Sequence, residues 1–98
     1  MAKAKIRWIS ESEGGRAEAP VGPRYVTVSR FEDEREKYPA EAWSLVVELL
    51  SQPDSTGNTV SEVTFLADDA PSHLLYPGSK FDLFEGARHV ASGVVLSQ

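Results

Sequence analysis

The chain contains no cysteine and no apolar run that approaches the length of a membrane-spanning helix. Without cysteine it cannot form a disulfide, a thiolate nucleophile or a cysteine-ligated metal site. A membrane span needs roughly 18 or more apolar residues in succession, so we expect none here. The first residues, MAKAKIRW, are basic but are not followed by the apolar segment of a signal peptide. These features predict a soluble protein of the cytoplasm.

Nucleotide-binding motifs are also missing. The sequence has no Gly-x-x-x-x-Gly-Lys-Ser/Thr loop, the segment whose backbone N–H groups hold nucleotide phosphates. Its 98 residues are too few to contain a GTPase domain in addition to a second unit. We therefore expect no GTP hydrolysis and no cofactor.

Candidate catalytic and metal-binding groups are few. His73 follows Asp68 and Asp69 at a spacing that a metal site could use, and His89 could approach it in space. A metal site needs three or four converging ligands, so exposed turn residues are the better interpretation. Ser72, His73 and Asp82 could be combined into a triad, but no nucleophile elbow or oxyanion glycine cluster accompanies them. The sequence thus predicts no enzyme and no metal.

What the chain does contain is enough apolar surface for one small core. Residues 1–98 form a single domain by length, and two Trp, three Tyr and four Phe favour folding over disorder. The net charge of −5 is unevenly distributed, since residues 1–30 carry six Lys/Arg against three Glu. Residues 31–98 carry four Lys/Arg against twelve Asp/Glu. A basic patch on an acidic body is therefore possible, although such an imbalance most often serves solubility.

Period-two alternation predicts β-strands along most of the chain. The first segment places Ile6 and Trp8 on one face, with Arg7 on the other, and we expect Trp8 in the core. Glycine within the last strand, at Gly93, is typical of a bulge or bend. The segments read as strands are AKIRWISES, PRYVTVSRF, TVSEVTFLA, SKFDLFEG and RHVASGVVLSQ, with Tyr25, Thr27, Ser29 and Phe31 sharing one face of the second.

The segment PAEAWSLVVELL, within residues 39–50, is ambiguous. Pro39 could occupy the first turn of a helix, with Ala42, Val46 and Leu49 at helical spacing. The valine-rich centre instead favours a strand, with Trp43, Leu45 and Val47 pointing to the core. The turn-rich segments QPDSTGN and DDAPSHLLYPGS join the strands, and Tyr38 and Tyr76, each before a proline, could pack loops onto the end of the fold.

Six short strands without intervening helices predict an all-β protein, either a small antiparallel barrel or a sandwich. Closure into a barrel would also pair every strand edge. The strand pattern alone does not choose between the two architectures.

Two blocks of sequence resemble the third, C-terminal domain of translation elongation factor Tu. The opening, ISESEGGRAEAPVGPRYVTVS, is similar to a strand of that domain that ends in Glu-Gly-Gly-Arg before a loop and a second strand. The block YPGSKFDLFEGARHVASGVV is similar to its last hairpin. The resemblance implies a six-stranded antiparallel β-barrel across residues 1–98, with residues 32–58 matching poorly. It also implies that Gly14 and Gly15 supply backbone angles that other residues avoid.

The resemblance further implies where a partner would bind. In that family this loop and hairpin contact the T stem of aminoacyl-tRNA, and the matching positions here are Arg16, Ser29, Glu85 and Gly86. Because the family's domain mainly contacts proteins and other domains, a non-enzymatic module that binds a protein partner is the first hypothesis. The alternative is an RNA-binding module that uses the basic residues Lys3, Lys5, Arg7, Arg16 and Arg24. The two differ in salt dependence, since phosphate binding weakens steeply with added salt.

Overall fold

The computed structural model of the protein describes residues 2–9, 13–14, 24–33, 42–51 and 54–98. Within these ranges the chain forms strands and a short 3-10 turn, Ser72–Leu74, with no α-helix. The prediction of an all-β fold is therefore confirmed. The strands are β1 (Ala2–Trp8), β2 (Arg24–Phe31), β3 (Trp43–Leu49), β4 (Asn58–Phe65), β5 (Lys80–Glu85) and β6 (Arg88–Ser97).

The six strands close into a barrel in the order β1-β4-β3-β2-β5-β6, and β6 pairs with β1. Every neighbouring pair is antiparallel, so the barrel predicted from the resemblance is confirmed as an architecture. We call the end where β1, β3 and β5 finish the hairpin end, since the β5–β6 turn lies there. The opposite end, where residues 66–79 connect β4 to β5, is called the loop end.

Alternation along the strands directs apolar side chains inward. In β1 the residues Ala4, Ile6 and Trp8 are buried, whereas Lys5 and Arg7 between them are exposed. The ambiguous third segment is strand β3, and its residues Leu45 and Val47 are buried in the core. A closed barrel has one interior, so side chains with period two alternate between that interior and the outer wall.

Each end of the barrel is filled by aromatic or aliphatic side chains. At the hairpin end Trp8 meets Tyr25 edge to face, with ring centroids 5.5 Å apart. At the loop end Phe31 lies 5.2 Å from Phe81 and 5.4 Å from Phe65, centroid to centroid. Residues of the 66–79 loop also contribute to the core there, because Leu74 and Leu75 are both buried.

Gly93 occupies regular sheet register, so the prediction that it marks a bulge or bend is wrong. The extra residues of β6 are Val90 and Leu96, which are skipped where its pairing with β5 and β1 shifts. Gly93 instead faces Phe81, and a Cβ atom added to it would lie 2.4 Å from the Cζ atom of that ring. The glycine therefore leaves space for an aromatic side chain.

Two further predictions concern residues near the ends of the barrel. Trp43, expected in the core, is only half-buried and does not belong to the core cluster, because it is the first residue of β3. Gly14 has a φ of +91°, in agreement with its expected left-handed backbone, and Gly15 lies outside the described residues.

In the part of the chain that the structure describes, no helix has the length and apolar character needed to cross a membrane.

Candidate binding surface

The four positions that the resemblance implies as contacts differ in where they lie in the structure. Arg16 lies outside the described residues. Ser29 is 3% exposed, and its hydroxyl donates a hydrogen bond of 2.6 Å to the main-chain carbonyl of Trp43. It faces the barrel interior and not the outer surface. Glu85 and Gly86 are exposed at the hairpin end.

The hairpin turn is held by local geometry and one side-chain contact. Gly86 has a φ of +61°, a conformation that glycine adopts without the steric cost of a Cβ atom. The Glu85 carboxylate accepts a hydrogen bond from the Tyr25 hydroxyl of β2. Since Tyr25 also packs on Trp8, the turn is coupled to the aromatic cluster at the same end.

Cationic side chains gather on the outer wall of the barrel. Lys3, Lys5 and Arg7 alternate outward from β1, and all three are exposed. In the next strands of the barrel, Lys5 pairs with Val94 of β6, and Val94 pairs with Lys80 of β5. We call these four residues, Lys3, Lys5, Arg7 and Lys80, the basic wall.

A groove crosses this wall over β6, and its volume is about 420 Å³. Lys5, Arg7 and Lys80 line it, together with Ser92 and Asn58. Two acidic residues, Glu32 and Asp82, also contribute to its lining. The groove therefore has more cations than anions although the whole chain has a net charge of −5.

Asp82 is neutralised by its own neighbours. The Arg30 guanidinium donates a hydrogen bond of 2.6 Å to one carboxylate oxygen, and the Ser92 hydroxyl donates one of 2.8 Å to the other. Burial raises the pKa of Asp82, but the hydrogen bonds from Arg30 and Ser92 outweigh it and hold the pKa below its ordinary value. Asp82 therefore remains ionised and paired, and it offsets little of the groove's positive charge.

The ring nitrogen of His89 lies at the edge of this network. His89 Nε2 is 3.0 Å from the Ser92 hydroxyl and 3.2 Å from a carboxylate oxygen of Asp82. In a catalytic triad the histidine uses one nitrogen for the serine and the other for the carboxylate. Here a single nitrogen meets both groups and Ser92 donates to Asp82, so the arrangement stabilises the wall and does not activate a nucleophile.

The other candidate chemical groups are dispersed. Asp82 takes its hydrogen bonds from Arg30 and Ser92, which excludes the triad considered with Ser72 and His73. His73 is exposed in the 3-10 turn. Over the ranges that the structure describes, no group of three His, Cys, Asp or Glu side chains could hold a metal ion.

Arg24 does not belong to the basic wall. It pairs with Glu48 at the start of β2, and β2 is three strands away from β1 in either direction around the barrel. Conversely, the sequence did not associate Lys80 with Lys5. Alternation with Phe81 indicates that Lys80 points outward, but only the strand order shows that β5 is separated from β1 by β6 alone.

Exposed apolar side chains lie beside these cations. Val60 of β4 pairs with Lys5 and is 39% exposed. The amide of Leu50, which is 51% exposed, donates to the Val60 carbonyl at 2.9 Å. The wall thus presents a row of apolar side chains and lysines that runs from Leu50 through Val60, Lys5 and Val94 to Lys80.

These features define a small closed β-barrel whose candidate site is an outer groove with cationic and apolar walls. The sequence matches no protein-family model and no curated protein.

Proposed function

We propose that this barrel is a non-enzymatic binding module that engages a protein partner through the basic wall. The observation that supports it is the juxtaposition of exposed Val60 and Leu50 with Lys5. Protein interfaces combine apolar contacts with a polar rim, and charge complementarity then sets orientation and the rate of association. The partner would offer an acidic surface with apolar side chains.

The same surface is less suited to RNA. Proteins that bind single strands stack bases on aromatic rings, in addition to neutralising phosphates. Among the described residues the one large aromatic side chain that is clearly exposed is Tyr76, which lies in the 66–79 loop rather than on the wall. Phe84 is 8% exposed, because the Arg30 guanidinium lies 5.0 Å above its ring and His89 stacks on it at 5.2 Å.

RNA binding remains the second candidate, supported by the three cations of the groove. If those cations neutralised three phosphates of a single strand, the logarithm of the binding constant should fall with the logarithm of salt concentration with a slope of about −2. A protein partner held by mixed contacts would show a weaker dependence, because apolar burial is insensitive to moderate salt.

We further propose that the chain is a relative of the third domain of elongation factor Tu, working in the cytoplasm. The closed six-stranded architecture supports this proposal, since it is the one that the resemblance implies. The exposed turn at Glu85 and Gly86 would then be a second contact for the partner. This turn and the basic wall can be tested separately, because no residue is shared between them.

The experiment is a cross-linked capture from cell lysate with the purified protein, with and without nuclease. We compare the wild type with Lys5→Gln and Lys80→Gln, with Glu85→Ala for the turn, and with Arg24→Gln as a control. The control removes one exposed charge, as each lysine variant does, but on the other side of the barrel. Retention of the same protein after nuclease, reduced in both lysine variants and kept in Arg24→Gln, is the expected result.

Two outcomes count against this function. Equal retention in all four variants would exclude the wall and the turn as the interface. Loss of the retained material on nuclease treatment, together with the steep salt slope, would favour the RNA-binding candidate.

A further inference from the structure

We propose that the groove is a phosphate-binding site, and that its ligand is a phosphorylated serine or threonine in an extended segment of the protein partner. The inference rests on the proposed function for the nature of the partner, and it adds the chemical group that is recognised. Its support is the arrangement of Lys5, Arg7 and Lys80 around one groove.

The spacing of these residues lets their ends converge on one group. Lys5 and Lys80 are on strands separated only by β6, which places their Cα atoms about 10 Å apart from the usual spacing of strands. Arg7 is two residues beyond Lys5, about 7 Å along β1. All three side chains line the groove together with Val94, so an anion in the groove would lie beside each of them.

Charge balance favours a dianion. Three cations line the groove, and the acids that line it are Glu32 and Asp82. The charge of Asp82 is offset by Arg30, which donates to it at 2.6 Å. When Arg7 exchanges its contact with Glu13 for the ligand, Glu32 leaves the groove a net charge of about +2, which a phosphate monoester of charge −1.5 to −2 balances. A carboxylate or a phosphodiester, each with a single charge, would leave part of it uncompensated.

The available donors also fit a phosphate. Ser92 donates to Asp82 and the amide of Asn58 donates to Thr56, so these neutral groups are already engaged. Lys5 and Lys80 have no ion-pair partner among the described residues. Arg7 contacts Glu13 at 3.3 Å, but both side chains are 52% exposed, so the pair is weak enough to exchange for a ligand. An arginine fork with two lysine point charges is a combination that binds phosphate well.

The test is a titration of the isotopically labelled protein followed by amide chemical shifts at pH 7.5. The small probes are methyl phosphate as the monoester, dimethyl phosphate as the diester, and acetate. A glycine-rich peptide with one phosphoserine is compared with the same peptide unphosphorylated and with a glutamate in that position. A double variant that carries both Lys5→Gln and Lys80→Gln removes two of the groove's cations. The single variant Arg24→Gln is the control.

We expect shifts centred on Lys5, Arg7, Lys80 and Val94, and binding of the monoester at least roughly fivefold tighter than of the diester or acetate because its charge is nearly doubled. The double variant should lose this preference and the control should keep it. Unphosphorylated and glutamate peptides should bind more weakly than the phosphopeptide.

Equal affinity for all three small probes, shifts centred elsewhere, or an undiminished response in the double variant would overturn the inference. Tighter binding of the diester than of the monoester would also overturn it and would point to a nucleic-acid backbone. These results are independent of the capture experiment. If the partner depends on Lys5 and Lys80 but the probes do not bind, the proposed function stands and the phosphate assignment falls.

Discussion

Alanine at position 93 should destabilise the barrel by overfilling its interior. Gly93 faces Phe81 across the β5–β6 pair. A Cβ atom at position 93 would lie 2.4 Å, 2.7 Å and 2.9 Å from three carbon atoms of the Phe81 ring. Carbon atoms in contact are normally about 3.5–4.0 Å apart, so the ring would have to move by about 1 Å.

The ring has little room for such a movement. Phe81 is 2% exposed and its centroid lies 5.2 Å from that of Phe31. Overpacking of this kind costs about 1–3 kcal/mol. Replacing glycine by alanine in a strand without steric conflict would instead gain about 0.5–1 kcal/mol. For Gly93→Ala we expect a net loss of about 1 kcal/mol, equivalent to a decrease in Tm of about 4–8 °C for a domain of this size.

The measurement is the free energy of unfolding in urea for Gly93→Ala, Phe81→Leu and the double variant. The smaller, flexible leucine should accommodate the new methyl group, so the double variant should be more stable than additivity predicts by about 1 kcal/mol. Gly78→Ala is the control, because Gly78 has a φ of +91° and no atom within 4 Å of an added Cβ. Its loss, about 1–2 kcal/mol from backbone strain, should not be relieved by Phe81→Leu.

The steric account is refuted if Gly93→Ala is as stable as the wild type or more so. It is also refuted if Phe81→Leu and Gly93→Ala are simply additive, since the cost would then not come from the ring.

Two other substitutions test the polar contacts. Asp82→Asn should lose about 1.5–3 kcal/mol at pH 7, because Arg30 and Ser92 donate to an ionised carboxylate. The folded-state pKa of Asp82 is lowered, so this stability is present above the ordinary carboxyl pKa and is lost as the pH falls through the folded value. The difference between the unfolding curves of the two proteins should therefore begin to shrink below about pH 4, and a constant difference at all pH values would contradict the ionic account. Thr59→Val leaves the Trp8 indole N–H, which now donates to the Thr59 hydroxyl at 3.0 Å, without that acceptor in the core. The expected loss is about 1–3 kcal/mol in chemical denaturation, and a loss below about 0.5 kcal/mol would show that the bond is dispensable.

The orientation of most side chains could be predicted from the sequence, because it depends on neighbours two residues apart. In β2 the residues Ser29 and Phe31 share the interior, as their alternation indicates. For β3 the sequence left helix and strand open and only favoured the strand, in which Leu45 and Val47 fill the barrel from one face. Alternation does not show how far a residue lies from the end of the barrel. Trp43 has the correct spacing for the core, but it lies at the end of its strand and is half-buried.

The role of Gly93 illustrates a different limit. A glycine in a strand is compatible with a bulge, a bend or a close approach, and only its neighbour on the next strand decides among them. The bulge is three residues earlier, at Val90, where the pairing with β5 shifts. The same limit applies to Ser29, whose place in the resemblance pointed to a surface contact. Its hydroxyl instead bonds to the carbonyl of Trp43 on the adjacent strand.

The candidate site depends most strongly on strand order, and this explains why cations of equal charge are not equivalent. Lys3 pairs with Glu62, which pairs with Glu48, which pairs with Arg24, so this row around the barrel has two positive and two negative charges and largely neutralises itself. The row that contains Lys5 and Lys80 has Val60 and Val94 as neighbours, and valines offset no charge.

An uncompensated charge acts over about a Debye length, roughly 8 Å at physiological salt, whereas a paired charge is felt only at short range. Lys5 and Lys80 are therefore the cations that an approaching anion meets, although the linear sequence separates them by most of the chain and carries twelve acids between residues 31 and 98. Sequence composition made a basic patch plausible. The closed order of the strands determines which lysines form it.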